Sequence, residues 1–115
     1  MTQYMLSVHV GDEGYSDPQS ADAQRMYAQV DVFNDELRAS GAWVFAGGMH
    51  PASTATLVTS KDGKTTNTDG PYMRNDVQLG GFWVIDVANR DVALVWAGKG
   101  SAACEGPVEV REFQG

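Results

Sequence analysis

Residues 82–87 read FWVIDV, and residues 4–10 read YMLSVHV. Side chains of an extended chain alternate between two faces. In both stretches the residues on either face are predominantly apolar, so each reads as a central strand that must be covered on both sides.

Working outward from this pair, the chain separates into few elements. GDEGYSDPQS follows the first strand as a loop. Asp17 can cap a helix that places Pro18 at its first position, where a missing N–H costs nothing. Ala23, Met26, Val30, Phe33 and Leu37 recur every three or four residues, so the spacing predicts one apolar helical stripe running to about Ser40, widened by Tyr27 and stopped by Gly41. AWVFAGGM and STATLVTS (53–60) read as strands. Between Lys61 and Lys64, Asp62-Gly63 is a tight hairpin signal, because both central residues need positive φ. Lys64–Thr68 is then the returning arm. After FWVIDV, Asn89 can cap a short helix that buries Val92, Ala93, Trp96 and Ala97 and ends at Gly98 and Gly100. VEVREF (108–113) alternates as a last strand, with Val108 and Val110 on one face and Glu109 and Arg111 on the other.

The order β-α-β-β, hairpin arm, β-α-β predicts an α+β fold. It is the ferredoxin-like βαββαβ antiparallel sheet with an extra hairpin arm, in one domain over residues 1–115. Two helices cover one sheet face only. The second face needs cover, and a second copy of the same sheet supplies it through a two-fold axis, so a homodimer is expected.

Composition narrows the function. The 115 residues carry a formal charge of −7 and a pI near 4.5, which argues against nucleic acid and against anionic membrane surfaces as partners. No apolar run approaches the ~20 residues of a membrane span. The N-terminal MTQYMLSVHVGDEGY lacks the basic and long apolar regions of a signal peptide, and a cytoplasmic location is the expectation. The single cysteine, Cys104, excludes an internal disulfide and a cysteine-based metal site. No His-x3-His spacing, nucleophile elbow, GxGxxG or P-loop occurs, so neither metal nor cofactor is expected.

The stretch TDGPYMRNDVQLGGFWVIDV (68–87), with ALVWA in the following helix and a terminal VEVREFQG, resembles the DGPF branch of the YCII-related proteins. Asp69, Gly70, Pro71, Gln78, Leu79, Gly80 and Gly81 match that pattern without a gap, and Tyr72 stands for its Phe. YML, NDELRASGAWV and PASTATLV also fit, so the resemblance covers essentially the whole chain. It implies a dimeric α/β-barrel built on a ferredoxin-like sheet and a small organic molecule as ligand. Some relatives are enzymes on small, often aromatic-derived metabolites, and a His–Asp pair in a cleft is a family reading. Association with alternative sigma factor systems implies a regulatory setting as the alternative. Two departures matter. Arg74-Asn75-Asp76-Val77 replaces Glu-Thr-Lys-Glu, and Asp31 stands two before Phe33, where many members carry a histidine.

The candidate site residues follow. Asp69 is either a turn aspartate bonding nearby backbone or a carboxylate that deprotonates a ligand or orients a histidine. Gly70 and Pro71 make a rigid turn that serves either role, with Tyr72 and Asp31 as further ligand contacts. His9 ends a central strand, and His50 follows Gly47-Gly48-Met49; each is either an acid/base partner of Asp69 or a histidine satisfied by its surroundings. Two readings therefore stand: acid/base chemistry near Asp69, or a non-catalytic ligand-binding or regulatory interaction protein.

Overall fold

The computed structural model describes residues 1–11 and 19–115. Six strands and two helices are described: β1 (Thr2–Val10), α1 (Ala21–Ser40), β2 (Trp43–Gly48), β3 (Thr56–Lys61), β4 (Lys64–Asp69), β5 (Gln78–Val87), α2 (Arg90–Cys104) and β6 (Val108–Glu112), with a single 3-10 turn over Ala52–Thr54. β2, β5, β1 and β6 lie side by side in that order, and each neighbouring pair is antiparallel. This α+β arrangement is compatible with a ferredoxin-like fold. β3 and β4 form a separate two-stranded arm.

The two apolar strands are indeed the central pair. Leu6 lies opposite Trp83 and Tyr4 opposite Ile85. These residues face the helices and are buried with Phe33 and Leu37 of α1 and Ala93 and Ala97 of α2. Leu6, Leu37 and Ile85 are wholly enclosed. Phe33 sits at the centre, edge-on to Trp83 at 4.9 Å and to Trp96 at 6.0 Å between ring centroids. The helices are also tied to each other. The Arg25 guanidinium grips both Glu105 carboxylate oxygens at 2.8 and 3.1 Å, and Lys99 pairs with Glu36.

Local chemistry explains most element ends. Asp62 and Gly63 have φ of 54° and 76°, as a tight hairpin between antiparallel arms requires. Asn89 accepts from the Val92 N–H at 3.0 Å and caps α2. Gly41 closes α1 at φ 85°. Asp17 and Pro18 lie outside the described residues. The side chain that caps α1 is Ser20, which accepts from the Ala23 N–H at 3.1 Å, so the α-helical segment begins at Ala21.

α2 differs from its sequence reading. It runs through Gly98 and Gly100 to Cys104 and stops at Glu105, which takes the left-handed conformation at φ 58°. Gly100 is buried because Phe33 and Trp83 press against it; a methyl there would lie 3.4 Å from each ring. Its inward side is Ala93, Ala97, Gly100 and Ala103, and Val92 lies at the exposed margin. Small residues let α2 approach the sheet closely enough for the aromatic cluster to close.

The sheet face away from the helices is open. It carries Met5, Ser7 and His9 of β1, Phe82 and Val84 of β5, and Glu109 and Arg111 of β6, by strand alternation and register. Phe45 joins them from β2, 5.7 Å from Phe82 between ring centroids and 56% exposed. The molecule measures 46 × 41 × 18 Å, a slab one sheet and one helix layer thick. Its radius of gyration is 16.1 Å, against roughly 13 Å for a compact domain of this length. No described helix is long and apolar enough to cross a membrane.

Candidate functional site

A cavity of about 370 Å³ opens between α1 and the ends of β2 and β5. Its α1 wall follows from helical spacing: Tyr27, Val30, Asp31 and Asn34 fall at i, i+3, i+4 and i+7 on one flank. Its floor is glycine backbone, where Gly47 and Gly48 of β2 run beside Gly80 and Gly81 of β5. The close fit there is real. A methyl on Gly81 would sit 2.9 Å from the Gly47 carbonyl oxygen, so only glycine lets the two strands pair at this point. With glycine at these positions, the two strands pair closely and little side-chain bulk rises above the sheet end. Val8, Met26 and Trp83 make the remaining walls mainly apolar.

The polar groups are few and convergent. The Trp83 indole N–H donates to Asn34 Oδ1 at 2.8 Å, which leaves the Asn34 amide N–H groups as donors at the cavity wall. Asp31 is exposed at the rim, one helical turn from Asn34. Cys104 closes the α2 end. Burial pushes its thiol above the ordinary range, against a lesser lowering effect of backbone hydrogen bonding at Gly106 and Cys104. Among the described residues, no group of three or more histidine, cysteine, aspartate or glutamate side chains gathers as a metal would require.

Asp31 is the one candidate residue that lines this cavity; Asp69, Gly70, Pro71, Tyr72, His9 and His50 do not. Asp69 ends β4, exposed and opposite Thr56 at the base of the arm. Its backbone carbonyl accepts from the Arg74 guanidinium at 3.1 Å. Gly70 is buried at φ 107° and donates its N–H to the Ala55 carbonyl at 2.8 Å. The bend is therefore built from backbone and Arg74, and Pro71 continues it half-buried while Tyr72 stands exposed. Gln78 pins the following loop by donating to the carbonyls of Met73 and Asn75.

The histidines lie elsewhere. His9 Nε2 and the Ser7 hydroxyl are 3.1 Å apart on the open sheet face. His50 is exposed in the loop after β2. Among the described residues, neither imidazole bonds to the Asp69 carboxylate within one protomer. Asn34 was not singled out from sequence; Gly47-Gly48 stood out only as the approach to His50, and Gly80-Gly81 only as part of the family pattern. A signal was present: Asn34 repeats the Tyr27, Val30, Asp31 spacing by one more step, and two Gly-Gly pairs close two strands.

Comparison with protein families matches residues 4–114 to the YCII-related domain. No curated protein matches the chain.

Proposed function

The chain belongs to the YCII-related family, and on that premise we propose that it is a small-molecule-binding protein whose ligand occupies the cavity between α1 and the sheet. One observation carries this reading: the cavity is walled by apolar side chains, floored by glycine backbone and furnished with the polar groups of Asp31 and Asn34. Its 370 Å³ falls within the range of roughly 300–1,000 Å³ in which small organic ligands bind. Binding without catalysis fits better than acid/base chemistry, because among the described residues the cavity lining includes a carboxylate and no imidazole. The acid/base alternative needs His9 or His50 to meet Asp69, and within one protomer neither does so. That meeting would have to occur between protomers.

The functional unit is a homodimer joined through the open sheet faces as a dimeric α/β-barrel. The apolar side chains Met5, Phe45, Phe82 and Val84 on that face support this, as does a slab only 18 Å thick. Exposed Met73, Val77 and Leu79, in and beside the loop that enters β5, add to the apolar surface that a second copy would cover.

The test is a fragment screen read by amide NMR. Binders are expected to shift the amides of Gly47, Gly48, Gly80 and Gly81 together. Shifts confined to Gly70 and His50 would move the site to the Asp69 turn and overturn the cavity reading.

A further inference from the structure

We propose that the ligand of this cavity is an organic amine, its ammonium held by Asp31 and its apolar body lying between Met26 and the Trp83 ring. This rests on the cavity reading above and adds the chemical class. Four acidic residues lie on α1. Asp22 pairs with Arg25, Asp35 with Arg38 and Glu36 with Lys99. Asp31 alone has no ion pair or hydrogen bond among the described residues, and it alone lines the cavity.

The remaining lining fixes the sign of the ligand. Among the described residues, no lysine, arginine or histidine lines the cavity. The whole chain carries −7. An anionic ligand would therefore meet a like charge at the rim and a repelling field around it. A neutral ligand would fill the apolar space and gain at most a hydrogen bond from Asp31, without the attraction between opposite charges. A protonated amine gains a charge-assisted hydrogen bond at the rim, and aromatic faces favour a cation or an aromatic body alongside them. Asn34 adds a second requirement. Its Oδ1 is engaged by Trp83, so its amide N–H groups remain to donate. Residues one turn apart on a helix place their side chains roughly 5–6 Å apart. A hydroxyl or carbonyl oxygen at about that distance from the amine would satisfy both.

Three probes of one shape separate the possibilities: 3-phenylpropylamine, 3-phenylpropanol and 3-phenylpropionate, titrated by amide NMR into the wild-type protein and the Asp31→Asn variant. Asp31 is exposed, so the substitution leaves the fold intact. The amine is expected to bind about three- to tenfold more tightly than the alcohol, as for a partly exposed ion pair, with the carboxylate weakest. Raising the salt is expected to narrow the gap, and Asp31→Asn to abolish it. If all three shift the Gly47 and Gly81 amides with equal affinity, or if the preference survives in Asp31→Asn, the amine class is wrong while the cavity reading stands. If none shifts those amides at millimolar concentration, both readings fall.

Discussion

The indole N–H of Trp83 reaches Oδ1 of Asn34 across 2.8 Å, from the middle of β5 to the flank of α1. Trp83 is 5% exposed, so its N–H depends largely on this acceptor. The bond orients the ring that walls the cavity and contacts Phe33. Removing the acceptor leaves a buried donor unsatisfied, which costs about 1–3 kcal/mol. Asn34→Leu is therefore expected to lower the unfolding free energy by that amount, read as a lower denaturant midpoint at unchanged slope. A double-mutant cycle with Trp83→Phe should return a coupling of about 1 kcal/mol. Additive single effects would show that the bond does not hold the ring.

Two glycines of similar appearance in the sequence are expected to respond oppositely to alanine. At Gly81 the new methyl meets the Gly47 carbonyl oxygen at 2.9 Å, and backbone must move. Overpacking of this kind costs about 1–3 kcal/mol, and β2 should show faster amide exchange as it is pushed from β5. At Gly98, inside α2, nothing lies within 4 Å of the added methyl. Gly98→Ala should stabilise by about 0.5–1 kcal/mol through the helix and the unfolded chain. Thermal melting checks both signs.

The contrast shows why some of the fold was legible in the sequence and some was not. FWVIDV and YMLSVHV announce a central strand pair because two-sided apolarity is a local property of each stretch. Asp62-Gly63 announces a hairpin because its φ requirement is local too. Gly98 and Gly100 mislead for the converse reason. A glycine pair lowers helix propensity locally, yet Phe33 and Trp83 from two other elements make Gly100 the residue that fits. The cavity is likewise non-local. Asp31 drew attention through a family pattern, whereas Asn34 and the four floor glycines become a site only when β2, β5 and α1 meet.

The open sheet face predicts assembly. Phe45 is 56% exposed and lies tilted against Phe82, and neither ring belongs to the protomer's core. Phe45→Asp should leave helical circular dichroism unchanged and convert a sedimenting dimer to a monomer. A wild-type protein that sediments as a stable monomer at micromolar concentration would remove the dimer altogether.

Alkaline stability should carry the signature of Tyr4. Burial first, and then the neighbouring Glu112, push its phenol above the ordinary value of 10.0. The folded protein thus holds a proton that the unfolded chain releases earlier. Above pH 10 the unfolded state binds fewer protons than the folded one, so stability falls as pH rises. The contribution is complete below pH 10 and is lost as pH climbs through the raised value. Tyr4→Phe keeps the ring and removes the titrating group. Its stability should fall less steeply between pH 10 and 11.5 than that of the wild type, with the two curves parallel below pH 9. Equal slopes above pH 10 would place the alkaline sensitivity elsewhere.

Cys104 gives the cavity a chemical reporter. It lines the α2 end, and burial raises its thiol, so less thiolate exists at neutral pH than in a free cysteine. Alkylation by iodoacetamide at pH 7.5 should be slower than for free cysteine and should accelerate with pH over a range displaced upward. A ligand seated between Met26 and Trp83 should slow the reaction further by covering the sulfur. The slowing should track occupancy, with half-protection at the ligand's Kd from amide NMR. Protection by a compound that leaves the Gly47 and Gly81 amides unmoved would mean that Cys104 reports on some other part of the surface.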